Sequence, residues 1–142
     1  MPKFATVSVG LSAIILTVLL PIFELNSTHI TNPAWPAHAR LHEAWQLLTN
    51  AVISLFALGC VWTGRAPRIG ISLALLISLS FLVAWVLGPT YGGSMLQTDG
   101  TQLAVGGVSV VVIMVTAIAA LLVISLWKAR IPSVLQKQGT GT

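Results

Sequence analysis

Four long apolar runs constrain the fold of this chain more than any other feature. They predict helices at about residues 4–25, 36–62, 69–88 and 102–127, and each run is close to or longer than the roughly 20 residues that cross a hydrocarbon core. Charged residues make up only 7% of the 142 residues, against roughly 25% in a soluble domain. The sequence therefore predicts an all-α polytopic membrane protein. It is expected to form a four-transmembrane-helix bundle in one domain over 1–142, with a disordered tail over 131–142.

The basic residues predict how this bundle is oriented. Six of the seven lie beside the ends of the predicted helices: Lys3, Arg65, Arg68, Lys128, Arg130 and Lys137. Because Lys and Arg are enriched in cytoplasmic loops, both termini and the loop between helices 2 and 3 are expected to be cytoplasmic. A bacterial inner membrane or an endoplasmic reticulum membrane is the expected location. Membrane orientation also accounts for the basic pI, so nucleic-acid binding is not predicted.

The acidic residues and histidines are all predicted to lie on the opposite, outer side. They are Glu24, Glu43, Asp99, His29, His38 and His42. Titratable groups close to a bilayer are costly to place, and such a cluster is a functional hypothesis by default. We therefore expect the outer half of the protein to carry its function.

Two of these histidines belong to a stripe of polar and aromatic side chains on helix 2. The stripe is about 100° wide when each residue is rotated by about 100° from the one before it. The stripe contains His38, His42, Trp45, Gln46 and Thr49, with Asn50 at its edge. Polar side chains at membrane depth face protein or a water-filled cavity rather than lipid. The sequence therefore predicts that the stripe lines an outward-facing polar cavity in the bundle.

The histidine pair in this stripe is compatible with two kinds of chemistry. Histidine titrates near neutral pH and is the commonest general acid or base, so His38 and His42 are candidates for proton transfer with Glu24 or Glu43 as the carboxylate partner. Two histidines one helical turn apart also form half of a divalent metal site. Such a site would need a further ligand from Glu24, His29 or Asp99. Solvation of the pair at the membrane interface is the third interpretation.

The segment Trp35-Pro36-x-His38-x-x-x-His42 resembles a motif of small four-helix membrane proteins. It is distantly similar to the EXPERA superfamily, which includes the emopamil-binding-protein-like sterol isomerases. This resemblance covers residues 35–46 and the overall bundle. It implies a lipophilic substrate held in a membrane cavity, with His38 and His42 shifting protons on it and Glu24 or Glu43 assisting.

Three functions therefore stand side by side. The first is binding of a lipophilic small molecule with isomerase-like acid–base chemistry, in which Gln46, Thr49 and Asn50 orient the molecule and Trp35 and Trp45 form an apolar or cation-stabilising wall. The second is a non-enzymatic accessory subunit or scaffold of a larger membrane complex. The third is transport of a small solute or metal ion by a homo-oligomer.

Overall fold

The computed structural model of the protein describes residues 3–97 and 99–129. Its four long helices are α1 (Lys3–Glu24), α2 (Ala37–Trp62), α3 (Pro67–Tyr91) and α4 (Val110–Lys128). All four are long and apolar enough to cross a membrane. The prediction of a polytopic four-helix bundle is therefore confirmed. The predicted disordered tail over 131–142 lies outside the described residues.

The hydrophobic core occupies one half of the bundle. Each helix packs against the next in the chain, and α1 also packs against α4. The largest fully buried apolar side chains are Val9, Val61, Ile71 and Leu122, one from each helix. We call this half the basic end, because Lys3, Arg65, Arg68 and Lys128 lie at its edge. The opposite half is called the open end.

Small residues allow the helices to approach closely at the basic end. A Cβ atom added to Gly70 of α3 would overlap the carbonyl oxygen of Ala57 and lie 2.8 Å from Val61 Cγ2, both in α2. Between α1 and α4, the hydroxyl oxygens of Ser8 and Ser125 lie 3.1 Å apart. Such close backbone contacts and interhelical hydrogen bonds are the usual source of helix association in membranes.

Polar contacts also join the ends of the helices at the basic end. Arg68 donates two hydrogen bonds, from Nε and Nη2, to the carbonyl oxygen of Ala129 at 3.1 and 2.8 Å. Lys128 Nζ lies 4.4 Å from the centre of the Phe4 ring. The start of α1, the start of α3 and the end of α4 therefore meet at one end of the bundle.

The fourth helix begins later than predicted. Residues 102–109 are not helical, because Ala104–Val105 (β1) pairs with Val108–Ser109 (β2) in a two-stranded antiparallel hairpin. Its turn is formed by Gly106 and Gly107, with φ of 58° and 81°. Two consecutive residues with positive φ are typical of the tight hairpin turn whose twist matches the flanking strands. The expectation of a helix over 102–127 is wrong for these first eight residues.

The third helix is longer than predicted and continues past Gly88 to Tyr91. It includes Pro89, and it ends where Gly92 adopts a left-handed conformation with φ of 75°. The Gly92 N–H donates back to the carbonyl oxygen of Gly88. A left-handed glycine is the usual terminator of a helix, so Gly92 rather than Gly88 ends the helix.

The first helix contains a π-helical turn over Ile15–Leu19. The N–H of Leu20 donates to the carbonyl oxygen of Ile15, five residues earlier instead of four. Pro21 follows directly, and a proline has no N–H to continue the ordinary helical pattern. The wider turn therefore lies where the proline interrupts the helix, and π-helical turns are frequent at functional sites.

Candidate functional site

A cavity of about 380 Å³ lies between the four helices, toward the open end. Each helix contributes to its wall, and most of the lining side chains are apolar, for example Phe81 and Met114. Its polar lining residues are Ser12, Glu24, Gln46, Asn50, Ser78 and Ser80. The volume is within the range of small-molecule sites, which combine a mainly apolar wall with a few polar groups.

The cavity lies beyond the continuous core of the basic end. Buried positions in α1 end at Ala13, and the π-helical turn and the last five residues of that helix contain none. In α2 the continuous buried face runs from Ser54 to Val61. Beyond these positions the space between the helices is only partly filled by side chains.

At the open end, Glu24 and His29 form the best-defined polar contact of the cavity wall. Glu24 is the last residue of α1, and its Oε2 atom lies 3.5 Å from His29 Nε2 in the following loop. The two side chains are only 19% and 21% exposed. The contact is an ion pair when the imidazole is protonated, and it connects the loop to the cavity wall.

The loop after α1 is folded so that His29 reaches Glu24. Asn26 Oδ1 accepts hydrogen bonds from the backbone N–H and the hydroxyl of Thr28, at 2.8 and 2.6 Å. The His29 ring also packs edge-on against Trp35, with centroids 5.8 Å apart. Asparagine side chains commonly fix turns in this way. His29 is therefore held by local contacts on both sides, and the Asn26-x-Thr28 turn is the sequence signal that would have placed it.

Glu43 is the second carboxylate near the cavity. It is half-buried on the face of α2 that includes the buried residues Leu47, Ser54 and Val61. Of the predicted acid–base residues, Glu24 is the one that lines the cavity, and it contacts His29.

His38 and His42 lie elsewhere. Their Nε2 atoms are 3.0 Å apart, but both side chains are exposed and neither lines the cavity. The prediction that this histidine face points into the bundle is wrong. The physical reason is that both residues belong to the first two turns of α2, where an exposed side chain can remain polar without crossing the hydrocarbon core.

The predicted binding residues also divide into those that line the cavity and those that do not. Gln46 and Asn50 line the cavity, as predicted, and Gln46 is exposed whereas Asn50 is half-buried. Trp45 is 64% exposed and Thr49 is also exposed, so the expected inward orientation is wrong for both. Trp35 packs on His29 rather than forming a wall of the cavity.

The exposed histidine pair offers two nitrogen ligands for a metal. Within residues 3–97 and 99–129, no group of three or more His, Cys, Asp or Glu side chains is arranged to hold a metal ion. Asp99, the loop residue predicted as a possible further ligand, accepts hydrogen bonds at its Oδ1 atom from the hydroxyl and the N–H of Thr101, at 2.7 and 2.9 Å. These hydrogen bonds hold the pKa of the Asp99 carboxyl below its usual range.

Two buried hydroxyls were not anticipated as functional residues. The Oγ atoms of Ser12 and Ser54 are buried and have no hydrogen-bond partner among the described residues. Ser12 is 2% exposed and lines the cavity. A buried hydroxyl without a partner loses its hydration without compensation, so Ser12 marks a place where an occupant would supply a polar contact.

Together, the four apolar helices and the cavity define a multi-pass membrane protein of the four-helix-bundle class. Comparison with protein-family models, curated proteins and solved structures finds no match to the chain.

Proposed function

We propose that this protein binds a lipophilic small molecule in the cavity between its four helices. The cavity itself is the observation that carries the proposal: it is mainly apolar, is formed by all four helices, and has Glu24, Gln46 and Asn50 near the open end. A close-packed bundle would bury these positions against one another. A lipophile would satisfy the apolar wall, and the few polar groups would fix its orientation.

The orientation proposed for the protein follows from its charges. Cytoplasmic loops are rich in Lys and Arg, and the basic end carries Lys3, Arg65, Arg68 and Lys128. We place that end in the cytoplasm, with the cavity in the outer half of the membrane. A membrane-soluble ligand would then reach the site from the outer leaflet.

Acid–base chemistry on the bound molecule is a second candidate. Glu24 is the one titratable side chain that lines the cavity among the described residues, and His29 lies 3.5 Å behind it. A carboxylate next to an imidazole forms a proton-transfer pair. In this candidate Glu24 is the group that contacts the molecule, and His29 is a positioning residue that exchanges its proton. His38 and His42 have no part in it, because they are exposed away from the cavity.

Two neighbouring tryptophan substitutions test the binding proposal. Ile53 lines the cavity, whereas Val52 beside it is 65% exposed. We expect Ile53→Trp to fill the site and Val52→Trp to leave it open. The measurement is native mass spectrometry of each protein after purification in a mild detergent.

The wild type and Val52→Trp should carry a lipophile that Ile53→Trp retains at least about tenfold less, equivalent to about 1.4 kcal/mol. Equal retention by all three proteins would contradict the proposal. An empty cavity together with a stoichiometric partner protein would instead support the accessory-subunit hypothesis.

A further inference from the structure

The cavity has a different polar group at each end. Glu24 lies at the mouth and Ser12 at the inner end, and both belong to α1. Twelve residues at 1.5 Å per residue separate them by about 18 Å along the helix. Between these two positions the α1 wall is formed by apolar side chains such as Leu16 and Leu20. This length and polarity fit an extended molecule better than a compact one.

The charges at the mouth select the head group of such a molecule. The carboxylate of Glu24 lines the cavity there, and its side chain is only 19% exposed. The group in contact with it is His29, which is cationic when its imidazole is protonated and whose Nε2 atom lies 3.5 Å from Glu24 Oε2, and Arg40 is half-buried one turn before Glu43 on α2. An anionic head would be repelled by the Glu24 carboxylate. A cationic head would form charge-assisted hydrogen bonds with Glu24, which are stronger than hydrogen bonds between neutral groups.

The side-chain amides in the cavity wall also favour a cationic head group. Gln46 and Asn50 line the cavity on α2, and their side-chain oxygens accept hydrogen bonds. A protonated amine has N–H donors for several acceptors at once. Gln46 and Asn50 on α2 and Glu24 on α1 therefore all provide acceptors to the cavity for such a head group.

The inner end supplies independent evidence for an occupant. Ser12 Oγ is buried, faces the cavity and has no hydrogen-bond partner in the described part of the chain. This observation does not depend on Glu24, because Ser12 is about 18 Å from that residue along α1. It indicates that the cavity is built to be filled along its length.

We infer that the ligand is a single-chain amphiphile with a protonated amine as its head group. The ammonium lies between Glu24, Gln46 and Asn50, and the chain extends along α1 toward Ser12. This inference rests on the proposed function, since it specifies the lipophile that the cavity binds.

Three probes of equal chain length test the head group: tetradecylamine, tetradecanol and tetradecanoate. Each is added to the full-length protein in phosphatidylcholine nanodiscs, and binding is measured by native mass spectrometry. We expect the amine to bind at least about tenfold more tightly than the alcohol, and the carboxylate to bind least. The variant Glu24→Gln should bind the amine and the alcohol equally. The matched control Asp99→Asn, which removes an exposed loop charge, should retain the preference for the amine.

The outcomes separate this inference from the proposed function. Equal binding of the three probes to the wild type, or an amine preference that persists in Glu24→Gln, would overturn the head-group inference alone. No binding of any probe would also overturn it alone if the wild type still carries a lipophile that Ile53→Trp loses. No binding of any probe and no lipophile in the wild type would contradict both.

Discussion

Glu24 Oε2 and His29 Nε2 lie 3.5 Å apart, and this contact joins the end of the first helix to the loop that follows it. The loop is further ordered by the Asn26–Thr28 hydrogen bonds and by the packing of His29 on Trp35. One histidine of three is thus held beside the cavity. The other two form a separate, exposed pair.

This difference predicts unequal effects of histidine substitution. We expect His29→Ala to lower the free energy of unfolding by about 1 kcal/mol, because it removes a partly buried polar contact. His38→Ala is the control and should change it by less than about 0.5 kcal/mol, as is usual for exposed positions. Unfolding in mixed detergent micelles, followed by circular dichroism, measures both. A larger loss for His38→Ala than for His29→Ala would contradict the assigned positions.

Gly70 predicts a second contrast, in the contact between α2 and α3. Its missing side chain makes room for the Ala57 carbonyl and Val61, so Gly70→Ala forces the helices apart. Overpacking of this kind costs about 1–3 kcal/mol. Gly59→Ala is the matched control, because an added Cβ there meets nothing within 4 Å.

Thermal denaturation of the two glycine variants in the same detergent measures this effect. Gly70→Ala should unfold at a lower temperature than the wild type, and Gly59→Ala should not. Equal melting temperatures for Gly70→Ala and the wild type would show that the helices do not approach as closely as described.

Two buried serines predict changes of opposite sign. Ser54 and Ser125 are both 1% exposed, but Ser125 lies 3.1 Å from Ser8 in another helix, whereas Ser54 Oγ has no partner among the described residues. Ser125→Ala should therefore cost about 0.6 kcal/mol, a typical value for a hydrogen bond between membrane helices. Ser54→Ala should gain about 1 kcal/mol, since it removes an uncompensated polar group.

Reversible unfolding in detergent compares the two serine variants directly. A destabilised Ser54→Ala would mean that this hydroxyl has a partner, such as a bound water molecule. That result would remove the predicted stabilisation without affecting the expectation for Ser125.

The number of helices could be predicted from the sequence because each apolar run is long enough to cross a membrane by itself. The start of α4 could not, since the hydropathy of 102–109 is compatible with a helix. The Gly106-Gly107 pair determines where α4 begins, because it forms a hairpin turn. Hydropathy indicates that a segment is apolar, whereas local turn chemistry determines where the helix begins.

The inward face of α2 could be predicted only in part. Helical periodicity predicts correctly which side chains of α2 share a face. The polarity of a face, however, does not predict whether that face packs inside the bundle. Glu43 lies about 140° from His38 around the helix, on the same face as Leu47 and Ser54, which are buried. Small residues such as Ser54 and Ala57 would have identified that face, since they are the usual contacts between membrane helices. Gln46 and Asn50 reach the cavity because they lie between the two faces.

The π-helical turn over Ile15–Leu19 has a consequence for the direction in which Glu24 points. Such a turn accommodates one residue more than an α-helical turn, and each residue of an α-helix corresponds to a rotation of about 100°. Deleting one residue within the turn would convert it to regular α-helix. The rest of α1, including Glu24, would then be rotated about the helix axis by about that angle. The Glu24 carboxylate would leave its present position in the cavity wall, so this single additional residue determines the direction in which the acidic side chain points.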